Sequence, residues 1–188
     1  VYATGLSAGG GLAFQLALPL LQVLPLGVEL EPVPGYLPDP VGDLAAKAAP
    51  GLLHKYAGRV LLVTTGTCAV NCRYCFRRHF PYADENASRA GFAPALTAIR
   101  ADPSIHEVIL SGGDPLTLST RRLSALFESL GAIPHLRRVR IHTRLPIVLP
   151  ERIDREFLAA WSAVPLQKTC VVHANHAREI DGSVRAAI

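Results

Sequence analysis

The sequence predicts an α/β fold built on a parallel sheet, a (βα) barrel only partly built, behind an irregular N-terminal extension. Three observations predict it. From Arg59 onward, short apolar and β-branched runs alternate with stretches of helical spacing. The order is strand, helix, strand, helix, strand, helix, strand, the signature of βα units and a parallel sheet, curved or open. The chain ends fifteen residues after the fourth strand, at Ile188, so a barrel begun this way is truncated after about four strands.

Residues 1–58 are rich in Pro and Gly, with loop segments such as Pro32-Val33-Pro34-Gly35 and Pro38-Asp39-Pro40. They read as an extension with one or two short helices, and residues 59–188 as the core domain. Within the extension, the apolar run from Leu12 to Leu30 is broken by Pro19, Pro25 and Gly27 and carries Gln15, Gln22 and Glu29. A lipid-spanning helix needs about 20 mostly apolar residues without such breaks. A short buried or docking helix is the reading here.

Val60 to Thr65 is a continuous apolar run, as in a strand covered on both faces. Glu107 to Ser111 is a second, Arg138 to Thr143 a third with alternation, and Thr169 to His173 a fourth. Phe92, Leu96 and Ile99 sit at helical spacing. So do Leu123, Leu126, Phe127 and Leu130, with Ser119 or Thr120 as cap and Gly131 as stop. Pro150 opens a third helix, with Glu151 and Asp154 in its first turn and Ile153, Phe157 and Trp161 on one face.

The chain has 188 residues, 49% hydrophobic and 18% charged, which excludes a disordered chain and allows a sizeable core. Its formal charge of +4 is too mild for a nucleic-acid coat, but suits a pocket for phosphates or carboxylates. No basic n-region precedes the apolar run, so neither a secretory signal nor a membrane span is expected, and a cytoplasmic location follows. The chain begins at Val1 and contains no Met, so it reads as a fragment or a processed chain.

Cys68, Cys72 and Cys75 fall within eight residues, with Cys170 far away. Such close neighbours make a poor disulfide framework, and clustered thiols point to metal. The spacing Cys68-Ala-Val-Asn-Cys72-Arg-Tyr-Cys75 follows directly after the first core strand. Three thiolates can hold three irons of a cubane cluster and leave the fourth open. A closed zinc site would want a fourth ligand, which His79 could supply. Ser111-Gly112-Gly113-Asp114-Pro115 follows the second strand, where glycines permit close approach of a ligand; a plain βα turn is the alternative. Cys170, in an apolar strand, reads as an inert buried thiol.

A CxxxCxxC after the first strand, with the aromatic Tyr74 just before its last Cys, resembles the radical S-adenosylmethionine enzymes. Further stretches narrow the resemblance: Pro50 to Tyr56, Cys75 to Tyr82, Arg140 to Pro146, and His173-Ala-Asn-His176. Together they look like the lysine 2,3-aminomutase family, nearest to its branch that makes (R)-β-lysine for elongation factor P. The likeness covers roughly Pro32 to Ile188.

The resemblance implies a radical S-adenosylmethionine barrel and an isomerase that moves the amino group of L-lysine from the α- to the β-carbon. It implies a [4Fe-4S] cluster on Cys68, Cys72 and Cys75, S-adenosylmethionine on its open iron, pyridoxal 5′-phosphate, and a reductant such as flavodoxin or ferredoxin. Ser111, Gly112, Gly113 and Asp114 would contact S-adenosylmethionine, with Tyr74 beside the cluster. His142, Arg144, His173, Asn175 and His176 would line the barrel mouth; a metal-binding His-x-x-His lacks a third ligand nearby. Arg77 would hold the substrate carboxylate, since a guanidinium fork binds carboxylate bidentately; the alternative is a surface arginine. Lys55, Tyr56 and Arg59 match the stretch that grips the pyridoxal phosphate group, or form a solvated basic face. The Schiff-base lysine and the acids that recognise the ε-ammonium have no counterpart here, so these residues alone are expected to be inactive. A catabolic lysine or glutamate 2,3-aminomutase and a non-catalytic zinc module are the alternatives.

Overall fold

The computed structural model describes Gly27, Glu31 and residues 33–188. The helix read in the run from Leu12 to Leu30 lies, Gly27 apart, outside the described residues. The chain divides into two compact units: Val1–Pro40 with Val70–His79, and Val41–Ala69 with Phe80–Ile188. The second unit carries the sheet.

Six strands pair in strictly sequential order: β1 (Lys47–Ala49), β2 (Leu52–Tyr56), β3 (Arg59–Thr65), β4 (Glu107–Gly112), β5 (Arg138–Thr143) and β6 (Gln167–Val172). β2 runs antiparallel to both β1 and β3, whereas β3 to β6 are parallel. The four parallel strands are the four that the sequence predicts. β1 and β2 are not predicted; they lie in the stretch read as irregular. Leu52-Leu53, behind Pro50-Gly51, is too short a run to show a period, and its strand character comes from pairing with β3 (Leu52 opposite Leu62, Leu53 opposite Leu61).

The helices are α1 (Ala93–Ala101), α2 (Thr120–Gly131), α3 (Leu145–Val148), α4 (Arg155–Ser162) and α5 (Gly182–Ala187). In α2, Ser119 is the cap, its hydroxyl accepting the Arg122 amide, and Leu123, Leu126, Phe127 and Leu130 are buried. Gly131 does not stop this helix through a left-handed conformation. A Cβ there would lie 2.9 Å from the Pro165 ring, so the glycine permits packing against the chain leading into β6. Pro150 opens a 3-10 turn over Pro150–Arg152, not an α-helix. The α-helix begins after Asp154, whose carboxylate accepts the Phe157 amide at 2.7 Å and overrides the earlier proline signal.

Val60, Leu62, Val108, Leu110, Val139 and Ile141 point to one face and pack with Leu96, Ile99, Leu123, Leu126, Phe127, Leu130 and Phe157 in the main core. Strands in unbroken order, with α1, α2 and α4 all on that face, form a singly wound sheet; a doubly wound one requires a reversal of strand order. On the opposite face Leu53 and Val63 pack with Phe80, Leu61 and Tyr82. β6 ends the sheet, and its residues are half-buried or exposed. Cys170 is therefore exposed, not buried as its strand context suggests. The protein mass around it and the Asp114 charge still hold its thiol above the ordinary value. Among the described residues, no helix is long and apolar enough to cross a membrane.

Candidate functional site

The carboxyl ends of β3, β4 and β5 are tied to one another through the turn after β4. Ser111 is buried, and its carbonyl accepts the Thr64 hydroxyl at 2.9 Å. The Gly113 amide donates to the Thr65 carbonyl at 2.7 Å and the Asp114 amide to the Thr67 carbonyl at 2.8 Å. Glycine is required here. Gly112 has φ +118, and a Cβ on it would lie 2.6 Å from the Thr65 oxygen; one on Gly113 would lie 2.3 Å from the Thr67 oxygen. The Tyr82 hydroxyl donates to the Gly112 carbonyl at 2.9 Å. The chain thus leaves β3 toward Cys68 and returns at Tyr82 held at the same corner.

Asp114 is the hub of this corner. Its side chain accepts four bonds: from the Leu116 amide (3.0 Å) and Thr143 hydroxyl (2.7 Å) on Oδ1, and from the Arg144 amide (2.8 Å) and Leu145 amide (3.0 Å) on Oδ2. A buried carboxylate so engaged fixes the β5 exit relative to the β4 turn. Gly112 and Gly113 beside it are half-buried, whereas the Asp114 side chain is buried.

Arg144 is buried and donates to Glu179 Oε1 at 2.7 Å; Glu179 Oε2 accepts the Asn175 amide at 2.8 Å. This carboxylate links the β5 exit to the loop after β6. The rings of His142 and His173 meet edge-on with centroids 5.8 Å apart. Both therefore lie at this end of the sheet, His142 half-buried and His173 exposed. His176 has a structural partner: its Nδ1 accepts the Arg178 amide at 3.1 Å and caps the following turn.

Cys68 is exposed in the sheet-bearing unit. Cys72 and Cys75 belong to the other unit, in the segment Val70–His79. There the Cys75 amide donates to the Cys72 carbonyl at 3.1 Å and the Arg78 amide to the Cys75 carbonyl at 3.2 Å, winding the segment into successive turns. The Arg78 guanidinium donates to the Arg73 carbonyl, and the Arg77 guanidinium lies 4.7 Å from the centre of the exposed Phe76 ring. Tyr74 is exposed. None of the four cysteines is disulfide bonded.

Lys55, Tyr56 and Arg59 lie at the opposite end of β3, around its hairpin with β2. Lys55 Nζ is 2.8 Å from Asp43 Oδ1 and also donates to the Val41 carbonyl. Tyr56 is exposed, and Arg59 Nε lies 3.5 Å from Glu107 Oε2.

No protein-family profile matches the chain. Curated relatives do. It is 47% identical to the L-lysine 2,3-aminomutase of Escherichia coli (strain K12), over 90% of this chain and 50% of that protein. The enzyme of the same name from Haemophilus influenzae is 47% identical over 86% of this chain and 48% of its own length. That of Clostridium subterminale is 38% identical over 88% and 40%. This chain belongs to the lysine 2,3-aminomutase family. It spans about half the length of the curated relatives it matches.

For a member of the lysine 2,3-aminomutase family, the donor set from Gly66 to His79 suits an iron–sulfur cluster: three thiols, no carboxylate and three arginines. Among the described residues, no three His, Cys, Asp or Glu side chains are gathered as a metal-ligand set; the fit is one of donor chemistry. The structure adds residues that the sequence reading left without a role. Tyr82 and Thr143 fall inside the stretches Cys75 to Tyr82 and Arg140 to Pro146, but neither residue type announces a role of its own. Glu179 stands in an ordinary polar loop. Glu107 did carry a signal, since an acid opening an apolar, fully covered strand calls for buried partners.

Proposed function

We propose that the protein containing this chain is a radical S-adenosylmethionine lysine 2,3-aminomutase, an isomerase that moves the amino group of L-lysine from the α- to the β-carbon. The observation that carries this reading is the thiol segment, whose exit from β3 and return at Tyr82 are both fixed to the Gly112–Asp114 corner at the carboxyl ends of parallel strands. In singly wound α/β folds that end carries the chemistry. The 47% identity to proteins named L-lysine 2,3-aminomutase supports the same reading.

Cys68, Cys72 and Cys75 would hold the cluster, and the Gly112–Gly113 backbone with Tyr74, Ser111, His142, His173 and Asn175 would border S-adenosylmethionine. Asp114, Arg144 and His176 set the loops behind them. When bound, the cluster and S-adenosylmethionine would supply a carbon radical able to remove hydrogen from substrate, and pyridoxal phosphate the conjugated system for nitrogen migration. Arg77 binds the lysine carboxylate through its two-pronged guanidinium, orienting the β-carbon. A cytoplasmic electron donor such as flavodoxin or ferredoxin would reduce the site. Delivery of (R)-β-lysine to elongation factor P is the branch we favour, on the motif resemblance.

The test uses the protein as its organism makes it, purified without oxygen. Iron and acid-labile sulfide are expected, with β-lysine formed from L-lysine. Cys72→Ala should abolish cluster assembly, while Cys170→Ala leaves it intact. Arg77→Lys should raise KM for lysine roughly ten- to a hundredfold, the worth of a charge-assisted bond, and Arg78→Lys should do far less. A colourless zinc protein, or full iron and sulfide in Cys72→Ala, would overturn the reading.

A further inference from the structure

The loop that follows β6 is open to solvent: His173, Ala174, Asn175 and His176 are all exposed. Its backbone is nevertheless held at three points, and all three lead back to the exit of β5. The His173 amide donates to the Thr143 carbonyl at 2.9 Å. The His173 carbonyl accepts Nη1 of Arg144 at 3.4 Å. The Asn175 amide donates to Oε2 of Glu179 at 2.8 Å, and Oε1 of the same carboxylate accepts Nη2 of Arg144 at 2.7 Å. The tight turn Ala177–Glu179, capped by His176, folds Glu179 back onto the loop that precedes it.

The Arg144 and Glu179 side chains are 9% and 6% exposed. A buried ion pair adds no more stability than two apolar side chains of equal size, because both charges lose their water. Apolar contacts would press the loop down without fixing its direction. Charge fixes it, since a guanidinium donates in one plane and a carboxylate accepts at defined positions. The Arg144 backbone is in turn tied to Asp114, so the direction is set from β4 outward. The loop held this way presents the His173 imidazole and the Asn175 carboxamide. Among the described residues no hydrogen bond occupies that carboxamide, which leaves a donor and an acceptor for a polar ligand.

We propose that Glu179 is the positioning residue of the S-adenosylmethionine site. Through Arg144 and the Asn175 amide it sets the direction in which His173 and Asn175 are presented to that ligand. The inference rests on the functional reading above and deepens it.

The experiment uses the naturally produced protein, purified without oxygen. It measures iron and acid-labile sulfide, hydrogen exchange at the Asn175 amide, equilibrium binding of S-adenosylmethionine, and KM for S-adenosylmethionine against KM for L-lysine. Glu179→Gln should keep its iron and sulfide and let the Asn175 amide exchange faster. It should weaken S-adenosylmethionine roughly ten- to a hundredfold, the range for a charge-assisted bond, and leave KM for L-lysine unchanged. Glu179→Asp keeps the charge on a shorter arm and should recover part of the affinity; it carries the test if the glutamine variant fails to fold. Unchanged S-adenosylmethionine binding in these variants, or equal losses for S-adenosylmethionine and lysine, would overturn the inference and leave the functional reading standing. A wild type that holds no cluster, or does not bind S-adenosylmethionine, would overturn the functional reading and the inference with it.

Discussion

The Asp114 carboxylate accepts the Arg144 amide at 2.8 Å, so the turn after β4 holds the first residue beyond β5. Three further donors converge on the same carboxylate. Asp114→Asn replaces one acceptor oxygen with an amino group facing N–H or O–H donors. We expect a loss of about 1–3 kcal/mol, the penalty for buried groups left unpaired, measured by urea unfolding. Thr143→Val removes one donor and should cost less. Equal stability of wild type and Asp114→Asn would show that the carboxylate does not hold this corner.

Gly113 and Gly182 form a matched pair for testing close approach. A methyl group on Gly113 meets the Thr67 carbonyl at 2.3 Å, whereas one on Gly182, at the start of α5, meets nothing within 4 Å. Gly113→Ala should destabilise by about 3 kcal/mol or prevent folding, as overpacking against backbone does. Gly182→Ala should be neutral or stabilise by about 0.5 kcal/mol through reduced freedom of the unfolded chain. Thermal melts of the two variants check the contrast.

Glu85 gives the fold an acid-sensitive anchor. Burial alone would raise its pKa, but a hydrogen bond from Lys47, the Gly51 amide at 3.0 Å and the Lys47 charge together hold it below its ordinary 4.5. A carboxyl group depressed on folding contributes stability that is complete above the unfolded value and is lost as pH falls through the folded one. The stability difference between wild type and Glu85→Gln should therefore be full at neutral pH and shrink below about 4.5. A difference that stays constant into acid would rule out an ionised Glu85 as the anchor.

The parallel strands were legible because Val60 to Thr65 and Glu107 to Ser111 are apolar on both faces, a local property that packing did not override. β1 and β2 were not, because Leu52-Leu53 becomes a strand only through its partner β3, which no local window contains. The same limit applies to the site. Cys68, Gly112 and Gly113 announce themselves by spacing and type. Glu107 with Arg140, and Arg144 with Glu179, are pairings across 33 and 35 residues; strand register brings the first pair together, and the turn after β6 the second. Cys170 shows the converse: its apolar strand reads as interior, yet the strand's place at the sheet edge leaves the thiol exposed.

The chain that leaves β3 through Thr67 and comes back at Tyr82 has both feet on the three residues Gly112 to Asp114 at the end of β4, through Asp114 N–H to Thr67 and Tyr82 O–H to Gly112. Closing a loop from a free chain loses configurational freedom that grows with the logarithm of its length. Here that loss is settled by the sheet before any ligand arrives. In the cluster reading proposed above, a group held by the three thiols would have to order only the inside of a closed ring. Its hold on the protein would therefore track the integrity of two hydrogen bonds that it never touches.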